Sequence, residues 1–290
     1  MIVENLNSQY SGLLKSLSNK MLEVIQEYHT NSSILESNIA VLIILRQIAE
    51  YVEGASILIE NNNSDSLVPI LRTIIELSIG AEYILDKDFE QRSKKLLFYY
   101  YQKTKEQFEN SLPRKGSRVL DALKKDKYVS DDTIKEFQSG SKLEQEIINQ
   151  IDGLLSHPLY TELRSYYSEN KSAIKNWFSL LDGPVNFEQL CSYLNKNSVY
   201  EISYRRWTSY THAWNVVNNN LEFLDNGDIK IVGSKKDFEL RDRVLELIRF
   251  SRSPLLHFLD KRSTPEQKKT FAIWLMEFNN KYTTIFPELL

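Results

Sequence analysis

Along most of the chain, apolar residues return at steps of three and four, the spacing that gathers side chains on one face of a helix, and this predicts an all-α fold. Residues 9–29 make one amphipathic stretch. The next, over 35–60 with Ser33 placed to cap it, is apolar nearly all round between Ile39 and Val52, which predicts a central helix. A tight polar turn, Asn61-Asn62-Asn63-Ser64-Asp65, follows it. Ser66 then stands where it would cap a third helix, with Pro69 tolerated in the first turn, so the two helices should form a central antiparallel hairpin. A fourth helix from 89 to about 110 carries Leu96, Leu97, Tyr100, Thr104 and Phe108 on one face and ends before Pro113.

Between 114 and 183 the periodicity weakens into shorter charged segments, predicted helical at 117–127, at 131–155 with a break near Ser139 and Gly140, and at 159–167. This variable helical middle reads as an insertion or lid. The aromatic and apolar signal returns at Trp177 and Phe178, runs through 187–194, and enters a long predicted helix over 198–224. Asp225-Asn226-Gly227-Asp228 signals a turn before a short extended piece at 229–232. Helices over 236–259 and 265–286 close the chain, the second with Thr264 as its cap and Pro265 at its first position. No Gly/Ser-rich linker divides the sequence, which predicts one α-helical domain over 1–290: a core at 35–225, the middle segment, and a C-terminal helical pair at 236–290.

Composition narrows the function. At 290 residues and 42% hydrophobic, the chain has ample material for a folded core. The formal charge of −3 supplies no global field for a polyanion, so any nucleic acid would need a local patch. The richest basic run lies at 114–127, and such a run is most often a solvated face. The single cysteine, Cys191, excludes an internal disulfide and a cysteine-built zinc site, and suits a reducing cytoplasm. The N-terminal residues lack a basic segment followed by an apolar run, and the stretch 39–45 is far too short to span a bilayer, so neither a secretory signal nor a membrane span is expected.

Two polar constellations stand out inside apolar helices. In the third helix Arg72 and Glu76 lie four apart among Ile70, Leu71, Ile74, Ile75, Leu77 and Ile79; they either fix how helices meet or line a polar pocket. Arg46 and Glu50 repeat the spacing one helix earlier, and both pairs are candidates for one ligand-binding cleft. The segment 200–214 writes an aromatic row, Tyr200, Tyr204, Trp207, Thr211 and Trp214, beside a polar row, Arg205, Ser209 and His212. A neutral His212 suits general acid/base work near neutral pH, with Arg205 or Arg206 on an anion and Ser209 alongside; the rival reading is a hydrogen-bonded core histidine. His29, His157 and His257 show no ligand spacing, so no metal is expected. Without GxGxxG, GxxxxGK[ST] or GxSxG, no nucleotide cofactor is expected either.

The combination of LRTIIELSIGAEYI, the Lys175-x-Trp177 element and Tyr200, Tyr204, Ser209 and His212 in the order YxxxYxxxxSxxH resembles a widespread prokaryotic family known only as a domain of unknown function. The resemblance covers roughly 35–225 and adds Trp177 and Tyr204 to the candidate ligand-binding residues. Members of that family are similar in places to proteins found beside toxin or antiphage genes. A looser likeness is to the HEPN ribonucleases, whose motif sets an arginine four to six residues from a histidine; five residues separate Arg206 from His212 and six separate Arg205 from it. That likeness implies metal-free RNA cleavage, with histidine moving the proton and arginine on the phosphate, usually across a homodimer interface. It departs from the motif in having Trp207 where a small polar residue commonly follows the arginine.

Two expectations follow. One is a cytoplasmic, metal-independent RNase-like toxin or effector of a bacterial defence or toxin–antitoxin system, with RNA as substrate, a homodimeric state and an antitoxin-type partner. The other is a helical sensor or scaffold that holds a small ligand or partner peptide in an Arg72/Glu76/His212 cleft without turnover.

Overall fold

The computed structural model describes residues 2–31, 36–112, 118–139, 142–211, 221–231 and 239–287. Helices α1 (Ile2–Asn31), α2 (Glu36–Glu60), α3 (Leu67–Asp86) and α4 (Phe89–Ser111) are followed by the shorter α5 (Arg118–Lys125), α6 (Asp131–Ser139) and α7 (Lys142–Leu155). A 3₁₀ turn at Pro158–Tyr160 leads into α8 (Thr161–Asn170), and another at Trp177–Ser179 precedes α9 (Phe187–Tyr193). A π-helical turn, Val199–Tyr204, runs without a break into α10 (Arg205–Thr211). After a small hairpin, β1 (Leu221–Phe223) with β2 (Ile229–Ile231), the chain ends in α11 (Leu240–Arg262) and α12 (Pro265–Ile285). The fold is all-α.

The break expected near Ser139 separates α6 from α7. Thr264 caps α12 in a reciprocal box with Gln267. Ser66, by contrast, makes no capping bond: its backbone is already helical and its hydroxyl donates to Asn63, inside the turn. The predicted long helix over 198–224 is corrected at both ends. It opens as a π turn, and 221–223 is a strand paired antiparallel with 229–231, because Gly227 at φ +87° lets the chain reverse there.

The chain divides into two compact units, Met1–Phe89 with Phe187–Leu290, and Glu90–Asn186. In the first, α2 packs against α1, α3 and α11, and buries Ala40, Val41, Leu45, Ile48, Ala49, Val52, Ala55 and Ile59. This near-continuous apolar surface is why α2 takes neighbours on several sides. The turn after α2 is fastened by the buried Arg243 of α11, which donates to the Ser64 carbonyl at 2.8 Å and to Asp65 at 3.0 Å. Along α12, Phe271, Trp274, Phe278, Tyr282 and Phe286 form a ring-on-ring ladder that ends on Tyr10 of α1.

The second unit has its own core of Phe98, Ile151, Leu155, Tyr160, Leu163, Tyr167, Ile174 and Leu180. The face read for α4 is corrected here. Leu97 is buried as expected, but Tyr100 is 60% exposed and Phe98 is buried instead, its ring against Tyr160 and Tyr167. Beside that core Glu106 accepts from the Tyr167 hydroxyl at 2.8 Å and pairs with Lys171 at 2.8 Å and Lys103 at 3.0 Å. Burial opposes its charge, yet these partners draw the carboxyl down to about 2.

Candidate functional site

The first unit gathers its polar and aromatic side chains where α3, α9 and the π turn meet. Arg72 and Glu76 stand one turn apart on α3, their Nε and Oε1 atoms 3.4 Å apart, with side chains 29% and 44% exposed. Tyr204, the last residue of the π turn, closes the group. Its hydroxyl donates to Glu76 Oε1 at 2.8 Å and accepts from Arg72 Nη2 at 3.1 Å, while the guanidinium lies 5.3 Å from the centre of its ring. Burial works against the Arg72 charge, but Tyr204 and Glu76 more than offset it, so its pKa lies above the ordinary value. Burial also raises the Tyr204 phenol.

Two more rings complete the corner. Phe187, the first residue of α9, lies 4.4 Å from Tyr204 and 6.4 Å from Tyr200, and Tyr200 stacks on Tyr204 at 5.6 Å. Helix α9 is held on α3 by the edge contact of Tyr83 with Tyr193 and, just beyond its end, by Lys196 on the buried Glu82 at 2.7 Å. Glu82 also accepts from Ser253 of α11 at 2.6 Å. Cys191, buried on the same short helix, has its thiol pushed up to about 12 by that burial and is a packing residue.

The aromatic row of 200–214 is divided by the π turn. Val199, Ser203 and Trp207 are buried, whereas Tyr200 and Tyr204 are half-buried. A wider turn lines residues up at steps of four, which displaces the α-helical alternation of three and four. Ser203 donates to Glu246 of α11 at 2.7 Å, and the indole Nε1 of Trp207 donates to the other oxygen of the same carboxylate. Trp207 is flanked by the guanidinium groups of Arg206 at 4.6 Å and Arg243 at 5.6 Å. Arg206 and Arg243 share Glu239, each at 2.9 Å.

The other predicted residues divide by surroundings. Arg205 is 63% exposed and pairs with Glu201 one turn back at 2.8 Å. Arg46 and Glu50 form a 3.0 Å pair with both side chains exposed, whereas Arg72 is bonded across to Tyr204. Trp177 belongs to the unit Glu90–Asn186, where it meets Phe178 edge-on at 5.6 Å. Ser209 lies on α10, and His212 falls outside the described residues. Among the described residues no three metal-ligating side chains come together, and no helix is long and apolar enough to cross a membrane.

A model of a family of unknown function, DUF5677, matches residues 38–229, about two thirds of the chain. The chain belongs to DUF5677. The match begins in α2 and ends in β2, so it takes in Arg72, Glu76, Phe187, Tyr200, Tyr204 and the whole of the second unit. Glu239, Arg243 and Glu246, which hold Arg206 and Trp207, lie beyond the DUF5677 match, the first just before α11 and the other two on it. No curated protein and no solved structure matches the chain.

Sequence reasoning passed over Phe187, Glu82, Glu239 and Glu246. Glu82 carried a signal, being a charge inside the apolar run SIGAEYIL. Glu246 carried none, since ELIRF reads as an ordinary amphipathic turn.

Proposed function

We propose that this protein is a helical ligand-binding module, a sensor or scaffold, whose site is the corner of Arg72, Glu76, Phe187, Tyr200 and Tyr204. The observation that carries this reading is the convergence on the single side chain of Tyr204 of Arg72 and Glu76 of α3, at its hydroxyl, and of Phe187 and Tyr200, at its ring. Arg72 is kept charged and oriented, and Glu76 makes both of its contacts through Oε1. Pre-set polar groups beside apolar rings are what a small-molecule site requires. The family's likeness in places to proteins found beside toxin or antiphage genes supports bacterial defence as the setting.

A second reading, the metal-independent ribonuclease with His212 as general acid/base, is favoured by Arg205. Its pair with Glu201 is exposed on both sides and contributes little, so a phosphate can take the guanidinium at small cost. Arg206 is less available, being shared among Glu239, Asp242 and the Trp207 ring.

The deciding experiment uses purified wild type, Tyr204→Phe, Arg72→Ala and His212→Ala. Each is screened by thermal shift against a metabolite library, and each is incubated with total RNA and transfer RNA in EDTA. Stabilisation of wild type by a compound that leaves Tyr204→Phe and Arg72→Ala unmoved, with RNA intact throughout, is the result expected. RNA cleaved by wild type but not by His212→Ala replaces the binding module with the nuclease.

A further inference from the structure

We infer that two copies of this chain pair through the outward face of α2, antiparallel about a two-fold axis that passes by Glu50. Ile43, Glu50 and Ile57 follow one another at seven-residue steps, and Arg46 and Glu53 stand at the same step between them. A seven-residue repeat is the seam along which one helix lies on another. Among the described residues none packs over this seam: Ile43 is 53% and Ile57 50% exposed, although most apolar side chains of the helix are buried. None of these residues belongs to the corner of Tyr204, so the pairing is independent of the ligand reading.

The seam is its own complement, which is why a second copy fits it. A two-fold contact sets residue i against j and j against i. Turned end for end about Glu50, the pattern brings Ile43 of each copy to Ile57 of the other, at two apolar ends about 21 Å apart. Arg46 of each copy comes to Gly54 of the other, between that copy's Glu50 and Glu53. Within its own chain Arg46 pairs with Glu50 at 3.0 Å, and both side chains are exposed, so the guanidinium can be shared across the axis at little cost. Gly54 is the independent sign. Glycine inside a helix costs stability, and nothing packed against Gly54 lies within 4 Å of where a Cβ would stand. Packing within the chain therefore does not account for the glycine, whereas a second helix crossing there with its arginine needs the gap.

The test is sedimentation equilibrium of the full chain from about 1 to about 100 μM. One chain has a mass of 34.0 kDa, and wild type should reach twice that. Ile57→Lys and Gly54→Gln should each weaken the pairing roughly tenfold or more, with helix content by circular dichroism unchanged, since both positions face outward. Glu50→Cys locates the axis. Residue 50 meets itself only in this antiparallel register, so a short bis-maleimide should link two Glu50→Cys chains and leave Thr270→Cys, exposed on α12, unlinked; the native Cys191 is buried. A single-chain mass at every concentration overturns the inference. So does a dimer that persists unchanged in both Ile57→Lys and Gly54→Gln, or one in which Thr270→Cys is linked as fast as Glu50→Cys, because either result puts the contact on another face.

Discussion

Tyr204 and Glu76, 128 residues apart in the chain, are joined by a 2.8 Å hydrogen bond. It ties the π turn to α3, and Arg72 completes the link by donating to the same hydroxyl. A π turn gives up regular α-helical bonding and persists where other contacts hold it. Here those contacts are Tyr204 on one side and Ser203, through Glu246, on the other.

Removing only the hydroxyl tests this link. Tyr204→Phe keeps the ring contacts and should lower stability by about 1 kcal/mol, because Arg72 and Glu76 retain each other and have partial access to water. A double-mutant cycle with Glu76→Gln in urea denaturation should give a coupling of about 0.5–1.5 kcal/mol. Strict additivity of the two changes would show that the bond contributes nothing in solution.

Glu246 should matter more. It accepts from Ser203 and from the fully buried Trp207, so Glu246→Ala strands two donors at once and is expected to cost roughly 2–3 kcal/mol. The Trp207 emission, isolated by comparison with Trp207→Phe, should shift to the red as water reaches the indole. An unchanged emission and melting temperature would mean that the carboxylate is dispensable.

How much of this was legible in the sequence follows from the range of the forces involved. The periodicity of α2 and α3 is local, and the helices fall where their apolar rows and flanking turns put them. Arg72 and Glu76 were found because two charges in an apolar helix must be paired, and a pairing at four residues is itself local. The π turn was not legible, because what stabilises it lies on α3 and α11, far away in sequence. Phe187 and Glu246 escaped for the same reason: each looks ordinary in its own helix and gains its role from a partner on another. Tyr99, Tyr100 and Tyr101 are chemically alike, so hydrophobic pattern alone could not tell which turns outward.

Acid should loosen the second unit through Glu106. Its pKa is about 2 in the folded chain against an ordinary 4.5, so the folded state binds this proton less readily than the unfolded one. The resulting stabilisation is complete above about 4.5 and is lost as the pH falls from there through about 2. Glu106→Gln should therefore be less stable than wild type by about 2 kcal/mol at neutral pH, with the gap closing in acid. Denaturant midpoints at pH 7, about 4 and about 3 measure it. A gap independent of pH would assign the cost to packing and not to the charge.

Gly183 and Gly153 make a matched pair. A Cβ on Gly183 would lie 1.8 Å from the Phe178 carbonyl oxygen, so Gly183→Ala forces backbone apart and should cost roughly 2–3 kcal/mol. Gly153, inside α7, has nothing within 4 Å of that position, and Gly153→Ala should stabilise by about 0.5–1 kcal/mol through helix propensity. Thermal melts of the two variants should move in opposite directions.

Arg205 and Arg206, adjacent in sequence, should separate under substitution. Arg206→Ala takes one cation from Glu239 and its guanidinium from the face of Trp207, for a loss of about 1–2 kcal/mol. Arg205→Ala removes only an exposed pair with Glu201 and should leave the melting temperature where it was. That contrast also sorts the two functional readings. RNA cleavage lost in Arg205→Ala at an unchanged melting temperature would put this guanidinium on the phosphate, since no structural effect accompanies it. Cleavage lost only in Arg206→Ala, together with its fall in stability, would trace the loss to α10 slipping from Glu239, and would leave the arginine outside the chemistry.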